Sequence, residues 1–152
     1  MYRFECVQRL AISKEKAWDF FLSPSNLKTI TPPYMGFETR SGGEGRMYAG
    51  MMITYTIRPL FSIPMTWVTE ITQMRYPDFF VDEQRAGPYA IWHHEHHFKE
   101  IPGGVEMTDL LHYQLPMGFI GKMTHSLMVK KKIEEIFAFR KETLKALFGE
   151  IK

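Results

Sequence analysis

The sequence predicts an α+β fold: a seven-stranded antiparallel sheet, two short helices after the first strand, and a long C-terminal helix over the sheet's concave face. Three observations predict it. From Met35 to Leu115 apolar and polar residues alternate almost without a break, which is the period of a half-buried strand. Short turns rich in glycine and proline interrupt the alternation, and connections that short join antiparallel neighbours. After Gly121 the period becomes that of a helix and holds to Phe148.

The elements follow in order. Tyr2, Phe4, Cys6, Leu10 and Ile12 alternate with Arg3, Glu5 and Arg9, giving a first strand whose inner face is interrupted only by Gln8. Ser13 is placed to cap a helix with Ala17, Trp18, Phe21 and Leu22 on one side. Ser23-Pro24 ends that helix and supplies the first positions of a second, through Leu27 and Ile30, which Pro32-Pro33 terminates. Strands are expected at 36 to 40, 47 to 58, 63 to 75, 78 to 85, 89 to 100 and 105 to 115. Their turns fall at Ser41 to Gly45, Pro59 to Ser62, Tyr76-Pro77, Arg85 to Pro88 and Ile101 to Gly104. Met51, Ile53, Tyr55 and Ile57 face inward on one strand, and Trp67, Thr69 and Ile71 on another. Met123, Leu127, Ile133, Ile136, Phe137, Leu144, Leu147 and Phe148 form the stripe of the last helix, which at 1.5 Å per residue spans roughly 40 Å. Arg140 interrupts the stripe, so its guanidinium either reaches outward to water or pairs beneath the helix.

Composition narrows the function classes. Residues 1–152 read as one domain with one core. A hydrophobic content of 45% with 24% charged residues is ordinary for a globular protein, and no apolar run approaches the roughly 20 residues of a membrane span, so no stable membrane insertion is expected. A net charge of +2 is too small to argue for nucleic acid, and Lys130-Lys131-Lys132 reads as a solvated helix face. Residues Met1 to Glu5 carry no apolar signal core, and a lone cysteine, Cys6, fits packing in a reducing cytoplasm rather than a disulfide framework. Oligomeric state is left open. Eleven methionines and a 14% aromatic content suit walls that adapt to ligands of varied shape, although core filling accounts at least as well for any single methionine.

The chemistry concentrates between Tyr89 and Phe98, which hold four of the six histidines. On a strand, Trp92, His94, His96 and Phe98 share one face while His93, Glu95 and His97 share the other. With Gly103-Gly104 as the two loop residues, Phe98 stands opposite Asp109, His96 opposite Leu111, His94 opposite Tyr113 and Trp92 opposite Leu115. Asp109 then lies on a mostly apolar face, where an unpaired carboxylate costs several kcal/mol, so it must be bonded to an imidazole, a hydroxyl or water. Zinc would accept His94, His96 and Asp109, but no HExxH or paired-cysteine motif accompanies them, and no metal or cofactor is expected. An acid-base reading has His94, His96, Asp109 and Tyr113 as catalytic candidates for cyclisation, dehydration or isomerisation of a keto compound.

Strand, two short helices, six-strand meander and long helix, in that order, resemble the helix-grip fold of the START and birch-pollen-allergen superfamily, often called SRPBCC. Particular stretches resemble its small bacterial ligand-binding and polyketide-cyclase-like members over nearly the entire chain. These are Ala17-Trp18-Asp19-Phe20-Phe21 leading to Asn26-Leu27 and Thr31-Pro32-Pro33, then Phe80-Val81-Asp82-Glu83-Gln84 leading to Gly87-Pro88-Tyr89 with Trp92, His94, His96 and Phe98. The likeness continues through Asp109, Tyr113 and Pro116 to Ile136-Phe137 with Arg140. One departure is the glycine-rich segment: Gly42-Gly43-Glu44-Gly45 comes earlier than in pollen-allergen-type members, lacks the lysine and serine of a phosphate-binding loop, and reads as a hairpin turn.

The resemblance implies a hydrophobic cavity between sheet and helix that takes lipids, sterols, polyketides or aromatic compounds, and it implies no particular reaction. Met51, Ile53, Tyr55, Trp67, Trp92, Phe98, Leu111 and Phe137 are expected in its apolar wall, and His94, His96, Asp109, Tyr113 and Arg140 at its polar end. Binding of a small hydrophobic or aromatic ligand is the function taken forward. A cyclase-like or dehydratase-like enzyme, and an interaction module in which the polar network merely sets strand register, are the alternatives.

Overall fold

The structure, a computed structural model, describes residues 1–59, 61–116 and 122–152. The expected turn residue Leu60, the linker at 117–121 and the side chain of Met123 lie outside the described residues. The elements are β1 (Tyr2–Leu10), α1 (Lys14–Phe21), α2 (Pro24–Thr29), a single 3₁₀ turn (Pro33–Met35), β2 (Glu38–Ser41), β3 (Met52–Ile57), β4 (Met65–Arg75), β5 (Phe79–Ala86), β6 (Ile91–Ile101), β7 (Gly104–Gln114) and α3 (Lys122–Phe148). The strands form one seven-stranded antiparallel sheet in the order β1-β7-β6-β5-β4-β3-β2, a meander from β2 to β7 that β1 joins at the far edge.

Local chemistry accounts for the early helices. The Ser13 hydroxyl accepts from the Lys16 amide at 3.2 Å and so satisfies one free donor at the start of α1. Pro24 opens α2, where its missing N–H costs nothing. The strand expected at 47 to 58 is shorter than its alternation suggests. Gly50, with φ of 92°, turns the chain so that only Met52–Ile57 runs as β3, although the Gly50 amide still donates to the Ile71 carbonyl at 2.7 Å.

The β6-β7 hairpin has a different register from the one expected. Pro102 and Gly103 are the loop residues, with Gly103 at φ of 82°, and Ile101 pairs with Gly104. Phe98 therefore faces Met107, His96 faces Asp109, His94 faces Leu111 and Trp92 faces Tyr113. Each partner is displaced by two residues. Because side chains alternate with period two, an even displacement changes neighbours and leaves every face assignment intact. Gly104 is required for a second reason: a Cβ there would lie 2.0 Å from the Leu10 carbonyl oxygen of β1.

Helix α3 crosses the concave face and buries Val129, Ile133, Phe137, Arg140 and Leu144. Two residues assigned to its stripe do not belong there, since Leu127 is 66% and Leu147 50% exposed. Leu127 lies about 200° around the helix from Val129, and in the last turn it is Phe148 that packs on Phe20, at 5.1 Å between rings. The buried face is the one that carries Arg140 inward, which settles that residue as paired beneath the helix. The same helix is tied to β1, where Gln8 on the inner face donates to the Lys141 carbonyl at 2.8 Å and the Ile151 amide to the Arg9 carbonyl at 3.0 Å.

Three apolar clusters result. One gathers Trp18 and Phe21 of α1 over Phe80, Phe98 and Met107; a second joins Met35 and Phe37 to Ile53, Tyr55 and Ile71; a third sandwiches Leu111 and Tyr113 under Val129, Ile133 and Phe137. Among the described residues no helix is long and apolar enough to cross a membrane.

The corrected helix face is testable. Ile133→Ala should lower the free energy of urea unfolding by about 2 to 5 kcal/mol, whereas Leu127→Ala should change it by less than about 0.5 kcal/mol. Equal losses from the two would mean that the helix is rotated from the position described.

Candidate functional site

The polar groups of the inner face come from four elements. On β6, His94 and His96 point inward between Trp92 and Phe98, and both imidazoles are buried. Asp109 on β7 stands opposite His96, and Asp82 on β5 stands opposite His94. Arg140 descends from α3 onto the same group. The result is a continuous network. Asp109 Oδ1 lies 3.0 Å from His94 Nε2, 3.0 Å from His96 Nδ1 and 3.2 Å from Arg140 Nη1. Asp82 Oδ2 lies 2.6 Å from His96 Nε2 and 3.5 Å from His94 Nδ1. The two imidazole centroids are 3.8 Å apart.

Burial and pairing act in opposite directions here. Burial favours the neutral form of Asp109, but the Arg140 charge and the contacts with His94 and His96 outweigh it and hold the carboxyl well below the usual range. Asp82 is also lowered, burial being overcome chiefly by the His94 and His96 rings. The histidines separate. Burial, then the neighbouring charge of His96, pushes His94 down; burial alone would do the same to His96, but its contacts with Asp109 and Asp82 raise it. The arrangement therefore favours the protonated form of His96, between two carboxylates, and the neutral form of His94. Two buried atoms of the network stay without an aligned partner among the described residues, Arg140 Nε and, despite its 3.0 Å approach to Asp109, His96 Nδ1.

The outer face of β6 is separate. His93 Nδ1 bonds to Glu83 Oε1 at 2.6 Å and His97 Nε2 to Glu95 Oε2 at 2.9 Å, both on the side away from the network. Cys6 pairs with Asp109 from the β1 side; burial, then the Asp109 charge, raises its thiol away from the reactive thiolate.

Beside the network lies a pocket of about 160 Å³ bounded by the sheet, α1, α2 and α3. Of the residues named from the sequence, Tyr55, Trp67, Trp92, His94, His96 and Arg140 border it. The others do not. Met51 and Ile53 pack in the cluster with Phe37, Phe98 in the one with Trp18, and Leu111, Tyr113 and Phe137 in the one under α3. Asp109 sits behind the two histidines, within the network and away from the pocket surface. Tyr113 stacks on Tyr2 at 5.3 Å between centroids and makes no hydrogen bond with the network among the described contacts.

Sequence reasoning missed Asp82, which borders the pocket and contacts both histidines. The alternation of Phe80, Asp82 and Gln84 places it inward, but its meeting with the histidines depends on the β5-β6 pairing, which parity alone does not state. It also missed Phe21, Leu27, Met35 and Met47, which close the pocket from the helices and the loop before β3.

No profile of a known protein family matches the chain. No curated protein matches it at a significant level either. Solved structures do. Protein CV1439 from Chromobacterium violaceum superposes with a TM-score of 0.71 at 12% identity, over 98% of this chain and 98% of that one. Protein Ms6760 from Mycobacterium smegmatis gives 0.69 at 16% identity, over 95% and 89%. Ara h 8.0201 gives 0.64 at 12% identity, over 95% and 98%. At such identities the likeness is one of fold, and with the observed topology it establishes a helix-grip α+β architecture.

The network predicts a stability maximum near pH 6.5, the ordinary histidine value. Above it the unfolded chain sheds a proton that His96 retains, so the His96 contribution is lost as pH rises through its raised value. Below it the unfolded chain gains a proton that His94 refuses, so stability falls again, and it falls further once the unfolded carboxyls protonate near about pH 4. Urea unfolding from pH 4 to 9 should show both limbs, with His96→Asn removing the alkaline one; a monotonic profile would contradict the assignment. Arg140→Met, which leaves Asp109 buried without its cation, should cost about 3 to 5 kcal/mol at pH 7.

Proposed function

We propose that the chain binds a small hydrophobic or aromatic molecule with one polar end in the pocket between the sheet and α3. The observation that carries this reading is the lining: aromatic and aliphatic side chains on most sides, with Asp82, His94, His96 and Arg140 together at one end. A few placed polar groups in an apolar wall orient a ligand. The volume of about 160 Å³ is close to the roughly 150 Å³ of a cavity that holds benzene, which favours a single-ring compound over a long acyl chain. The whole chain acts as one binding domain in this reading, and the lone Cys6 with its raised thiol suits a reducing cytoplasm.

A second reading rests on the two histidines. A lowered His94 beside a raised His96 is a neutral base next to a charged acid, the pairing that cyclase-like or dehydratase-like chemistry on a bound keto compound uses. Tyr113, packed away from the pocket surface, does not take part.

Trp67 and Trp92 border the pocket and report its occupancy. Titration with small phenols and naphthols should quench tryptophan emission saturably, and native mass spectrometry of freshly purified protein should reveal any retained compound. Ile136→Trp, which fills the pocket from α3, should abolish the response without unfolding the chain. Unchanged quenching in that variant would place binding elsewhere. With a ligand in hand, His94→Gln separates the readings: a binder loses affinity alone, whereas an enzyme loses turnover of a compound it still binds.

A further inference from the structure

We infer that Asp82, His94 and His96 form a site for one divalent first-row transition-metal ion in the wall of the pocket. Their ligand atoms lie within 4.8 Å of one another. His96 Nε2 and His94 Nδ1 both approach Asp82 Oδ2, at 2.6 and 3.5 Å. Ligand atoms around a tetrahedral ion with bonds of about 2.1 Å stand about 3.4 Å apart, so small rotamer adjustments admit an ion. Two imidazoles and one carboxylate are a donor set that zinc, iron(II) and cobalt(II) accept.

The atoms behind the ligands strengthen the assignment. A metal-bound histidine almost always offers its other ring nitrogen to a carboxylate, which fixes ring orientation and raises basicity. Here the far nitrogens, His94 Nε2 and His96 Nδ1, both lie 3.0 Å from Asp109 Oδ1. One carboxylate thus backs the His94 ring by a hydrogen bond and lies within reach of His96, and Arg140 Nη1, 3.2 Å from the same oxygen, holds it in place. Asp82, His94 and His96 face the pocket while Asp109 does not. That division leaves the remaining coordination positions open to the pocket, the form of a catalytic or ligand-exchanging site rather than a closed structural one.

Charge agrees. Metal binding displaces the imidazole protons, and two carboxylates against one guanidinium then leave one negative charge in the network, which the cation compensates. Arg140 is no competitor for the site, because its nearest carboxylate is Asp109 and not Asp82. A bound divalent ion would then carry an uncompensated positive charge toward the pocket, suited to an oxygen anion such as a phenolate, enolate or carboxylate. The inference goes beyond the proposed function and does not depend on it, since the ion is bound by the chain alone.

The test uses the full chain without a polyhistidine tag. Calorimetric titration with zinc and absorption titration with cobalt(II) should each show one equivalent bound. Asp82→Asn should weaken binding at least tenfold, and Asp109→Asn ten- to a hundredfold through loss of the backing carboxylate. His97→Gln, on the opposite face, should leave affinity unchanged. Nitrogen-15 histidine spectra of the unmutated chain keep the test independent of how the variants fold: zinc should shift the His94 and His96 ring signals and spare those of His93, His97 and His112. Less than stoichiometric binding of both ions at about 100 µM, roughly ten times the weakest dissociation constant of a calcium sensor, would overturn the inference. So would shifts confined to the outer-face histidines. Phenol quenching that survives while metal binding fails would discard the ion and leave the binding function standing.

Discussion

A carboxylate buried under a helix is the constraint on which the remaining structure depends. Asp109 interrupts an apolar run on β7 at the point where α3 crosses, and it is buried there together with Arg140. Left unpaired, an ionised group in that position would cost several kcal/mol, a large part of the roughly 5 to 15 kcal/mol that a domain has in total. Its partners come from separate elements, His94 and His96 from β6 and Arg140 from α3. Satisfying one oxygen therefore fixes hairpin register and helix rotation together. The apolar contacts of the three clusters supply most of the favourable free energy, but they are less discriminating, because a helix face of leucines and valines can pack in several orientations.

The network divides into two halves with different surroundings. Asp109 and Arg140 form the part under the helix, where packing excludes water, and Asp82, His94 and His96 form the part that borders the pocket. The structural half holds the other rigidly, because each imidazole has one nitrogen toward Asp109 and one toward Asp82. Support of this kind limits how far the pocket-side groups must move to meet a ligand, which is the condition for preorganised recognition.

What could be read from the sequence followed from periodicity. Seven antiparallel strands, two short helices and the long helix were all legible, because alternation and helical spacing report which faces are apolar. The inward placement of His94, His96 and Asp109 was legible for the same reason, and it survived an error of two residues in register. That error came from the turn: Gly103-Gly104 looks like a hairpin loop, but Gly104 serves the close approach of β1 and the loop is Pro102-Gly103. Asp82 stayed hidden because its role depends on pairing across β5 and β6, and no local pattern states which residues of two strands meet. The orientation of Arg140 stayed open because it depends on Asp109, 31 residues earlier in the chain. The end of the strand expected at 47 depended on a single glycine conformation.

The position of β1 has a consequence for how this protein comes into being. Its partner is β7, so Cys6 meets Asp109 across a loop of about a hundred residues, whereas every other pairing joins consecutive strands. During synthesis the meander from β2 to β6 can zip locally as it emerges, but the first strand must wait, unpaired, until β7 has left the ribosome. Closing so long a loop is slow, and it brings the edge strand and the tail of α3 into place at the same stage, since Gln8 and Arg9 bond to Lys141 and Ile151. Until then β7 presents an open edge beside a half-covered charge network. An open strand edge at that stage invites pairing with other chains.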